Sequence, residues 1–438
     1  MKRVLKKILP ARLLFAWHRG KASLAAFLNG YPSDRMIIVG VTGTKGKSSA
    51  ANFIWAGFMG AGVETALLAT ANIRIGKEES LNHYHMTMPS PFVIQRFLRR
   101  AFAAGCTAAV IETTSEGILQ RRHKGINYDI LVFTNLTPEH IRSHGSFENY
   151  RRAKQTIFRE LTGGRRKYIG GRSIPKAVVA NIDSPEAKHF LEFPADKKLT
   201  YAVQNEKADI VGRDVREDAE GTSFAAMGEP VRLKLLGSFN ASNALPAFAA
   251  GAVLGLPARE VRRGVEGLAI IPGRMEVLAR SPYMVIVDYA HEKESMTALL
   301  TTAKKLAGRG RVIVLLGAEG GGRDHAKRPI MGEVVARLAD YVVVSNVDPY
   351  EENPASIIRD IAESAAERGK AEGATLFSIQ DRREGIRKAL RLARPGDIVL
   401  ITGKGAEQSM IIGRRRIPWD DRIVVREELA KMVSRERP

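Results

Sequence analysis

Short apolar runs alternate with helix-period stretches along most of this chain. Met36–Val41 is apolar apart from Gly40 and reads as a buried strand, Thr42–Gly46 is a turn, and Lys47–Gly60 has the period of a helix. Ala108–Ile111, Ile130–Thr134 and Ala177–Ala180 are further strand-length runs that end at polar residues. This alternation predicts a parallel sheet covered by helices, with ligands received at the carboxyl ends of its strands.

A second block of the same kind begins near Pro272. Its strands are expected at Met284–Val287, Val312–Leu316, Tyr341–Val344 and Ile398–Ile401, and its helices at Ser295–Ala307, Pro329–Leu338 and Ala355–Arg368. The predicted fold class is α/β: a central parallel-sheet domain over residues 36–271, then a Rossmann-like α/β domain over residues 272–438. No internal repeat or low-complexity linker marks the junction, which is expected between Gly264 and Arg274.

Residues 1–35 follow neither pattern. Eight cations (Lys2, Arg3, Lys6, Lys7, Arg12, Arg19, Lys21, Arg35) stand against Asp34 alone, interleaved with Leu5, Leu9, Leu14, Trp17, Leu24 and Phe27. Arg12, Arg19 and Lys21 interrupt the apolar stretch, so it fits neither a membrane span nor a signal peptide. Two readings stay open for this basic amphipathic leader: a helix lying on an anionic membrane face, or a helix packed on the main domain.

The remaining 403 or so positions have room for two or three cores within the chain's 438 residues. A hydrophobic fraction of 45% and a charged fraction of 26% exclude wholesale disorder. Cys106 is the only cysteine, which excludes an intramolecular disulfide and a multi-cysteine zinc site. With 68 Lys+Arg against 47 Asp+Glu the formal charge is +21, favouring anionic ligands. No nucleic-acid-binding module accompanies it, so no nucleic-acid partner is expected.

The most specific chemistry lies between the first strand and its helix. In Gly40-Val-Thr-Gly43-Thr44-Lys45-Gly46-Lys47-Ser48-Ser49 the glycines let backbone amides face phosphates, Lys47 reaches the terminal phosphates, and Ser48 is placed to ligate Mg²⁺. Val41 stands where the general Walker pattern has glycine. Glu112 closes the strand Ala108–Ile111, where a metal-orienting carboxylate sits in a phosphate-loop sheet. The central domain is thus expected to be a P-loop ATPase.

That phosphate loop with Glu112, Asn135-Leu-Thr-Pro-Glu-His140, His144-Gly145 and Tyr150-Arg-Arg-Ala-Lys154 together resembles the Mur ligase family. The resemblance continues through Gly237-Ser-Phe-Asn240-Ala-Ser-Asn243, Pro272-Gly-Arg274-Met-Glu276, Asp288-Tyr-Ala-His291, Arg323-Asp-His-Ala-Lys327-Arg328-Pro and Gly403-Lys-Gly-Ala-Glu407. It runs from about residue 36 to the C-terminus and is strongest toward the tripeptide-synthetase type.

The resemblance implies an ADP-forming, amide-making ligase of peptidoglycan precursor synthesis in the cytoplasm. Its substrates would be ATP, an amino acid and a UDP-MurNAc-peptide or related acid, joined through an acyl phosphate. By the same resemblance Lys47, His140 and Lys154 are catalytic. Ser48, Glu112, His140 and Lys154 serve two Mg²⁺ ions, with Lys154 carbamylated; unmodified, Lys154 reads as a surface lysine on a helix. Gly43, Thr44, Lys45, Gly46, Lys47, Ser48 and Ser49 hold phosphates, and Asn240 and Asn243 meet the adenine side. Asn240 also reads as a helix N-cap. Arg274, Asp288 and His291 reach ATP from the second domain, so open and closed states are expected. Thr87, Pro89, Ser115, Gln120 and Arg122 contact the muramoyl peptide. Arg323, Asp348, Tyr350, Gly403 and Glu407 line the amino-acid pocket.

Four departures from the family pattern modify these expectations. The phosphate loop starts at residue 43, which leaves no room ahead of it for the family's UDP-gripping domain. Glu116 stands where the family has histidine, and Ala406 replaces another. Val347-Asp348-Pro349-Tyr350 replaces the Asp-Asn-Pro-Arg of diaminopimelate-adding enzymes, so the carboxylate-gripping arginine is gone. Asp348, Glu351, Glu352 and Glu407 form an acidic neighbourhood suited to an amine-bearing side chain such as lysine or ornithine. Two further readings remain: a ligase for another acid or amino-acid polymer, like folylpolyglutamate or cyanophycin synthetases, and a membrane-recruited nucleotide-binding protein with little catalysis.

Overall fold

The structure, a computed structural model, describes residues 11–84, 86–138, 144–322 and 325–435. It divides into two compact units. The first runs to residue 216 and takes in 222–234 and 238–269; the second takes 217–221, 235–237 and everything from residue 270.

In the first unit, helix α1 (Ala11–Leu28) precedes strand β1 (Ile37–Thr42), helix α2 (Lys47–Gly60), β2 (Thr65–Leu68), β3 (Asn72–Ile75) and β4 (Glu78–Leu81). Then come α3 (Pro91–Ala103), β5 (Ala108–Glu112), α4 (Ser115–Leu119), β6 (Ile130–Phe133) and α5 (Phe147–Glu160). A small hairpin, β7 (Lys167–Ile169) and β8 (Arg172–Ile174), leads to β9 (Ala177–Asn181), β10 (Lys197–Ala202) and β11 (Ile210–Val211). The sheet order is β11-β10-β9-β6-β1-β5-β2-β3-β4, parallel except for the antiparallel β2–β3 and β3–β4 pairs. Strands β1, β5, β6 and β9 are buried along their whole length, as expected for parallel strands covered on both faces.

Register decides what meets at the carboxyl edge. Val41 of β1 lies beside Glu112 of β5, and Thr42 beside Phe133 of β6. The loop after β1 therefore leaves the sheet between Glu112 and Thr134. Helix α2 is held there by α6 (Phe239–Leu254) and α7 (Ala258–Gly267). Gly60 and Gly264 allow this close approach: a Cβ on Gly60 would lie 2.4 Å from Gly264 Cα. The helix α6 is capped at Ser238, so Asn240 sits inside its first turn and is not the cap residue the sequence suggested.

The sequence pattern did not show a three-stranded sheet of β12 (Arg213–Asp218), β13 (Gly221–Ala226) and β14 (Glu229–Leu233), in which β13 and β14 are antiparallel. Nor did it show the β3–β4 hairpin. The leader segment is a helix from Ala11, and Ala22, Ala25 and Ala26 are fully buried against the first unit. Among the described residues no helix is long and apolar enough to cross a membrane.

The second unit contains β15 (Glu276–Ala279), β16 (Met284–Asp288), α8 (Lys293–Ala307), β17 (Val312–Leu316), α9 (Lys327–Leu338), β18 (Tyr341–Val344) and α10 (Pro354–Glu367). It continues with β19 (Leu376–Ser378), α11 (Arg382–Leu392), β20 (Ile398–Thr402), the hairpin β21 (Ser409–Ile412) and β22 (Arg415–Pro418), and α12 (Asp421–Arg435). Its sheet order is β15-β16-β20-β17-β18-β19, antiparallel only at β15–β16. Helix α8 starts earlier than its periodicity suggested because Glu292 and Ser295 form a capping box. Helix α9 starts before Pro329, which its first turn tolerates.

One buried ion pair ties this unit together. Both oxygens of Asp421 accept from Arg382 (2.8 and 2.6 Å), Trp419 Nε1 donates to the same carboxylate, and Arg382 also reaches the carbonyls of Asn346 and Thr402. Neither ionic side chain is exposed. Arg382→Ala would strand the buried carboxylate and is expected to cost about 3–5 kcal/mol. Arg414→Ala, removing a surface partner of Glu351, is expected to cost less than about 1 kcal/mol. Urea unfolding checks this; similar midpoints for the two variants would contradict it.

Candidate active site

The loop after β1 is a cradle that only glycine could line. Gly43 has φ 151° and a Cβ there would sit 2.0 Å from Thr134 Oγ1; Gly46 has φ 76° and a Cβ would sit 2.3 Å from Asn243 Oδ1. The backbone between them is pinned from β6: Thr44 N donates to Asn135 O (2.9 Å), Lys45 N to Asn135 Oδ1 (2.8 Å), and Thr134 Oγ1 to Lys45 O (2.7 Å). Thr44 Oγ1 accepts from Thr137 N (3.1 Å) and meets Tyr150 Oη at 3.2 Å. Lys47 Nζ folds back onto Thr44 O (2.8 Å). The turn and the start of α2 thus present backbone amides and a lysine at one helix N-terminus, which suits a nucleotide's phosphates. Ser49 is buried on the same first turn, and Asn243, bonded to Asn240 at 2.9 Å, closes the Gly46 side.

Glu112 is 2% exposed. Its Oε2 accepts three hydrogen bonds: from Ser48 Oγ (2.8 Å), Thr70 N (2.7 Å) and Thr70 Oγ1 (2.9 Å). Thr70 Oγ1 in turn lies 2.7 Å from Thr87 Oγ1. The carboxylate that could orient a magnesium ion is therefore linked, through Thr70, to the segment that carries Thr87 and the buried Pro89. A hard cation needs oxygens such as Ser48 and Glu112 supply, and these two already touch. Ser48–Glu112 pairing and the glycine cradle fit Mg²⁺ and a nucleotide.

Lys154 is not a surface lysine. It is 1% exposed on α5, donates to Gly43 O (2.7 Å), and lies 4.6 Å from the centre of the Tyr150 ring. It thereby braces the loop from below. His144 Nε2 lies 3.1 Å from Ser115 Oγ, and burial, then the charge of Lys154, push its pKa down, so the imidazole is neutral near pH 7. Arg122 reaches Met88 O and Gln120 Oε1 (2.6 Å), tying Gln120 to the Thr87–Pro89 strap. Burial lowers the Arg122 pKa, and Glu116 opposes that. His140 and Arg323, both expected in the site, lie outside the described residues.

In the second unit the candidates also converge, at the carboxyl ends of β16 and β20. Asp288 accepts from Met275 N and Ala290 N, both 2.7 Å; burial raises its pKa while Arg274 pulls it down. The Arg274 guanidinium lies 4.4 Å from the centre of the Tyr289 ring. His291 Nδ1 donates to Tyr289 O (2.7 Å). Gly403 N donates to Asp288 O (3.2 Å) from the turn after β20. Next in that turn, Lys404 is fully buried and bridges Asp348 Oδ2 (3.1 Å) and Glu407 Oε2 (2.8 Å). Tyr289 Oη reaches Glu407 Oε1 (3.4 Å). Tyr350 has φ 54° and its amide donates to Ile411 O (3.2 Å), beside the hairpin β21–β22.

The acidic neighbourhood read from the sequence needs correction. Lys404 sits between Asp348 and Glu407, Glu351 pairs with Arg414, and Glu352 pairs with Arg328 (2.7 Å). Each of these four carboxylates thus has a cationic partner, although Arg328 is shared with Asp360 (2.9 Å). Sequence reasoning also missed Thr70, an ordinary threonine after a strand, which no motif marks. Lys404 was inside a quoted motif but carried no role, because its spacing says nothing of its burial.

Comparison with known proteins bears on these clusters. The family descriptions "Mur ligase middle domain" and "Mur ligase, glutamate ligase domain" match residues 41–251 and 273–405. The chain is 38% identical over 424 residues to a UDP-N-acetylmuramyl-tripeptide synthetase of Roseiflexus sp. (strain RS-1), covering 94% of this chain and 82% of that protein. It is 35% identical over 416 residues to the UDP-N-acetylmuramoyl-L-alanyl-D-glutamate–2,6-diaminopimelate ligase of Halalkalibacterium halodurans, covering 94% and 82%. A solved diaminopimelate ligase of that type superposes with TM-score 0.61 at 28% identity, covering 91% of this chain and 79% of that one. Folylpolyglutamate synthase of Mycobacterium tuberculosis complexed with ADP shares the fold, with TM-score 0.67 at 19% identity over 96% and 95% of the two chains.

Thr70 gives the site a test of its own. Thr70→Val removes one donor to Glu112 Oε2 and the link to Thr87, so the Mg²⁺ concentration for half-maximal nucleotide binding is expected to rise about fivefold. Thr70→Ser should stay near wild type. Magnesium titrations of a fluorescent nucleotide check this, and an unchanged midpoint for Thr70→Val would refute it.

Proposed function

The chain belongs to the Mur ligase family, a family of ATP-dependent, ADP-forming ligases, and from that premise we propose that it adds the third residue to UDP-MurNAc-dipeptide in peptidoglycan precursor synthesis. The observation that carries the reading is the continuous contact Ser48–Glu112–Thr70–Thr87. It joins the phosphate loop to the strap that would seat the acid substrate.

In this reading a carboxylate oxygen of the dipeptide forms a bond to the γ-phosphorus of ATP as the bond to ADP breaks. The amine of the incoming amino acid then bonds to the acyl carbon, phosphate leaves, and the nitrogen loses its proton. Both steps concentrate negative charge, which Lys47 and the loop amides are positioned to stabilise. Magnesium, held by Ser48 and Glu112, would neutralise charge on the transferring phosphate. A reaction that consumes ATP belongs in the cytoplasm.

Lys154 is the candidate for carbamylation. The ammonium would lose one proton, and the neutral amine would then take up CO₂ and release a second, turning a buried cation into an anion suited to a second magnesium ion. Intact-mass spectrometry at neutral pH in bicarbonate should then show a mass increase that acid removes. Lys154→Ala should lose more than about a hundredfold in turnover and recover part of it with added short-chain carboxylates. No mass shift and no rescue would leave Lys154 as the ammonium that braces Gly43 O.

For the amino acid, Asp348 and Glu407 against Lys404 leave one formal negative charge, and Tyr350 offers no guanidinium. We infer a preference for lysine or ornithine over diaminopimelate. The test crosses UDP-MurNAc-dipeptide, its free peptide and a polyglutamyl acid with candidate amino acids, reading ADP and product mass. Lysine is expected to exceed diaminopimelate in kcat/KM by about tenfold or more, the scale of one lost arginine contact. Faster turnover of diaminopimelate would overturn the specificity, turnover of only the polyglutamyl acid would overturn the substrate, and ATP binding without turnover would overturn the enzyme reading.

A further inference from the structure

The leader helix is packed the wrong way round for a core element. Its small residues Ala22, Ala25 and Ala26 face the protein and are 0% exposed, while Trp17, Leu24, Phe27 and Leu28 face out at 67, 51, 65 and 59% exposed. At 100° per residue these four fall within one stripe about 100° wide, opposite the alanines. The inner face is firmly seated. A Cβ on Gly125 would lie 2.8 Å from Ala26 Cβ, Ser33 Oγ donates to Gly125 O (3.3 Å), and Tyr31 N donates to Ala26 O (3.0 Å). So the apolar stripe is not a core face awaiting the rest of this unit.

Charge selects its occupant. Neither α1 nor its neighbour α3 contains an acidic residue. Arg19 on α1 and Arg96, Arg99 and Arg100 on α3 are exposed, and Lys21 lies 6.0 Å from the ring of Phe92 where the two helices meet. A second copy would bring like charges together, and a nucleic acid would leave the leucines without a use. An anionic bilayer answers both, taking the apolar stripe into its interface and the cations to its headgroups.

We propose that the α1 face, flanked by the arginines of α3, docks this protein on an anionic lipid bilayer. The docking helix leads into β1 at the amino end of the sheet, whereas the loop Gly43–Gly46 and Glu112 lie at the carboxyl end.

The test is co-sedimentation of the full chain with vesicles of phosphatidylcholine alone or with 40% phosphatidylglycerol as probe. Binding is expected only with phosphatidylglycerol and to fall steeply between about 0.1 and 0.5 M salt. Phe27→Ser with Leu28→Ser should reduce partitioning about a hundredfold. Arg99→Gln with Arg100→Gln should reduce it about twentyfold. Melting temperature and ATP hydrolysis should match wild type for both pairs, since these side chains are exposed. Binding that ignores lipid charge, or persists in both double variants, would overturn the proposal. So would a dimer abolished by the Phe27/Leu28 pair, or retention on single-stranded DNA but not on vesicles. None of these outcomes bears on which acid or amino acid is ligated.

Discussion

A carboxylate with 2% exposure is costly unless it is matched, and Glu112 is matched by two segments directly and linked to a third through one of them. Ser48 comes from the phosphate-loop helix, Thr70 from the turn after β2, and through Thr70 comes Thr87. The parallel register that sets Val41 beside Glu112 puts the carboxylate within reach of the loop. The glycines at 43 and 46 then let Thr134 and Asn243 close against that loop from the other side. Displace Glu112 and both the loop and the β2 turn lose a partner, and the strap loses its link to the loop. That is why a single buried acid can organise both nucleotide and substrate surfaces.

Lys154 shows the same economy in the opposite sign. An ammonium at 1% exposure needs acceptors, and it has the Gly43 carbonyl and the face of Tyr150, whose hydroxyl meets Thr44. The unmodified lysine is thus already part of the loop's support. Carbamylation would reverse its charge in place, so the proposed chemistry would also change what holds Gly43. With Lys154 as an ammonium, burial and then repulsion from it push the His144 pKa down, and a carbamate there would remove that repulsion.

Much of this was legible in the residues. Strands β1, β5, β6 and β9 announce themselves as apolar runs because parallel strands are buried on both faces. The phosphate loop is legible because few residue types permit its backbone. What escaped was whatever depends on distant partners. Asn240 looks like a cap because asparagine caps helices, yet Ser238 holds that position and leaves Asn240 beside Asn243. Thr70 has no sequence mark because its importance comes from Glu112, forty-two positions away. The β3–β4 hairpin and the β12–β14 sheet are short and half-exposed, so their alternation is weak.

Charge is the hardest quantity to read along a chain. The carboxylates near Tyr350 looked like a surplus because Asp348, Glu351, Glu352 and Glu407 are close in sequence or motif. Their cations, Lys404, Arg414 and Arg328, arrive from other turns and helices. Burial draws Glu407 up and Lys404 opposes it, while Asp348 and Glu407 hold Lys404 above its ordinary range despite its burial. The three groups behave as one unit with a single formal negative charge. An incoming ammonium would meet that unit and not four separate acids, so discrimination between amines rests more on fit around Tyr350 than on bulk attraction. The +21 surplus of the whole chain follows the opposite logic. Along α1 and α3 no acid intervenes, and there the sequence count and the surface charge agree.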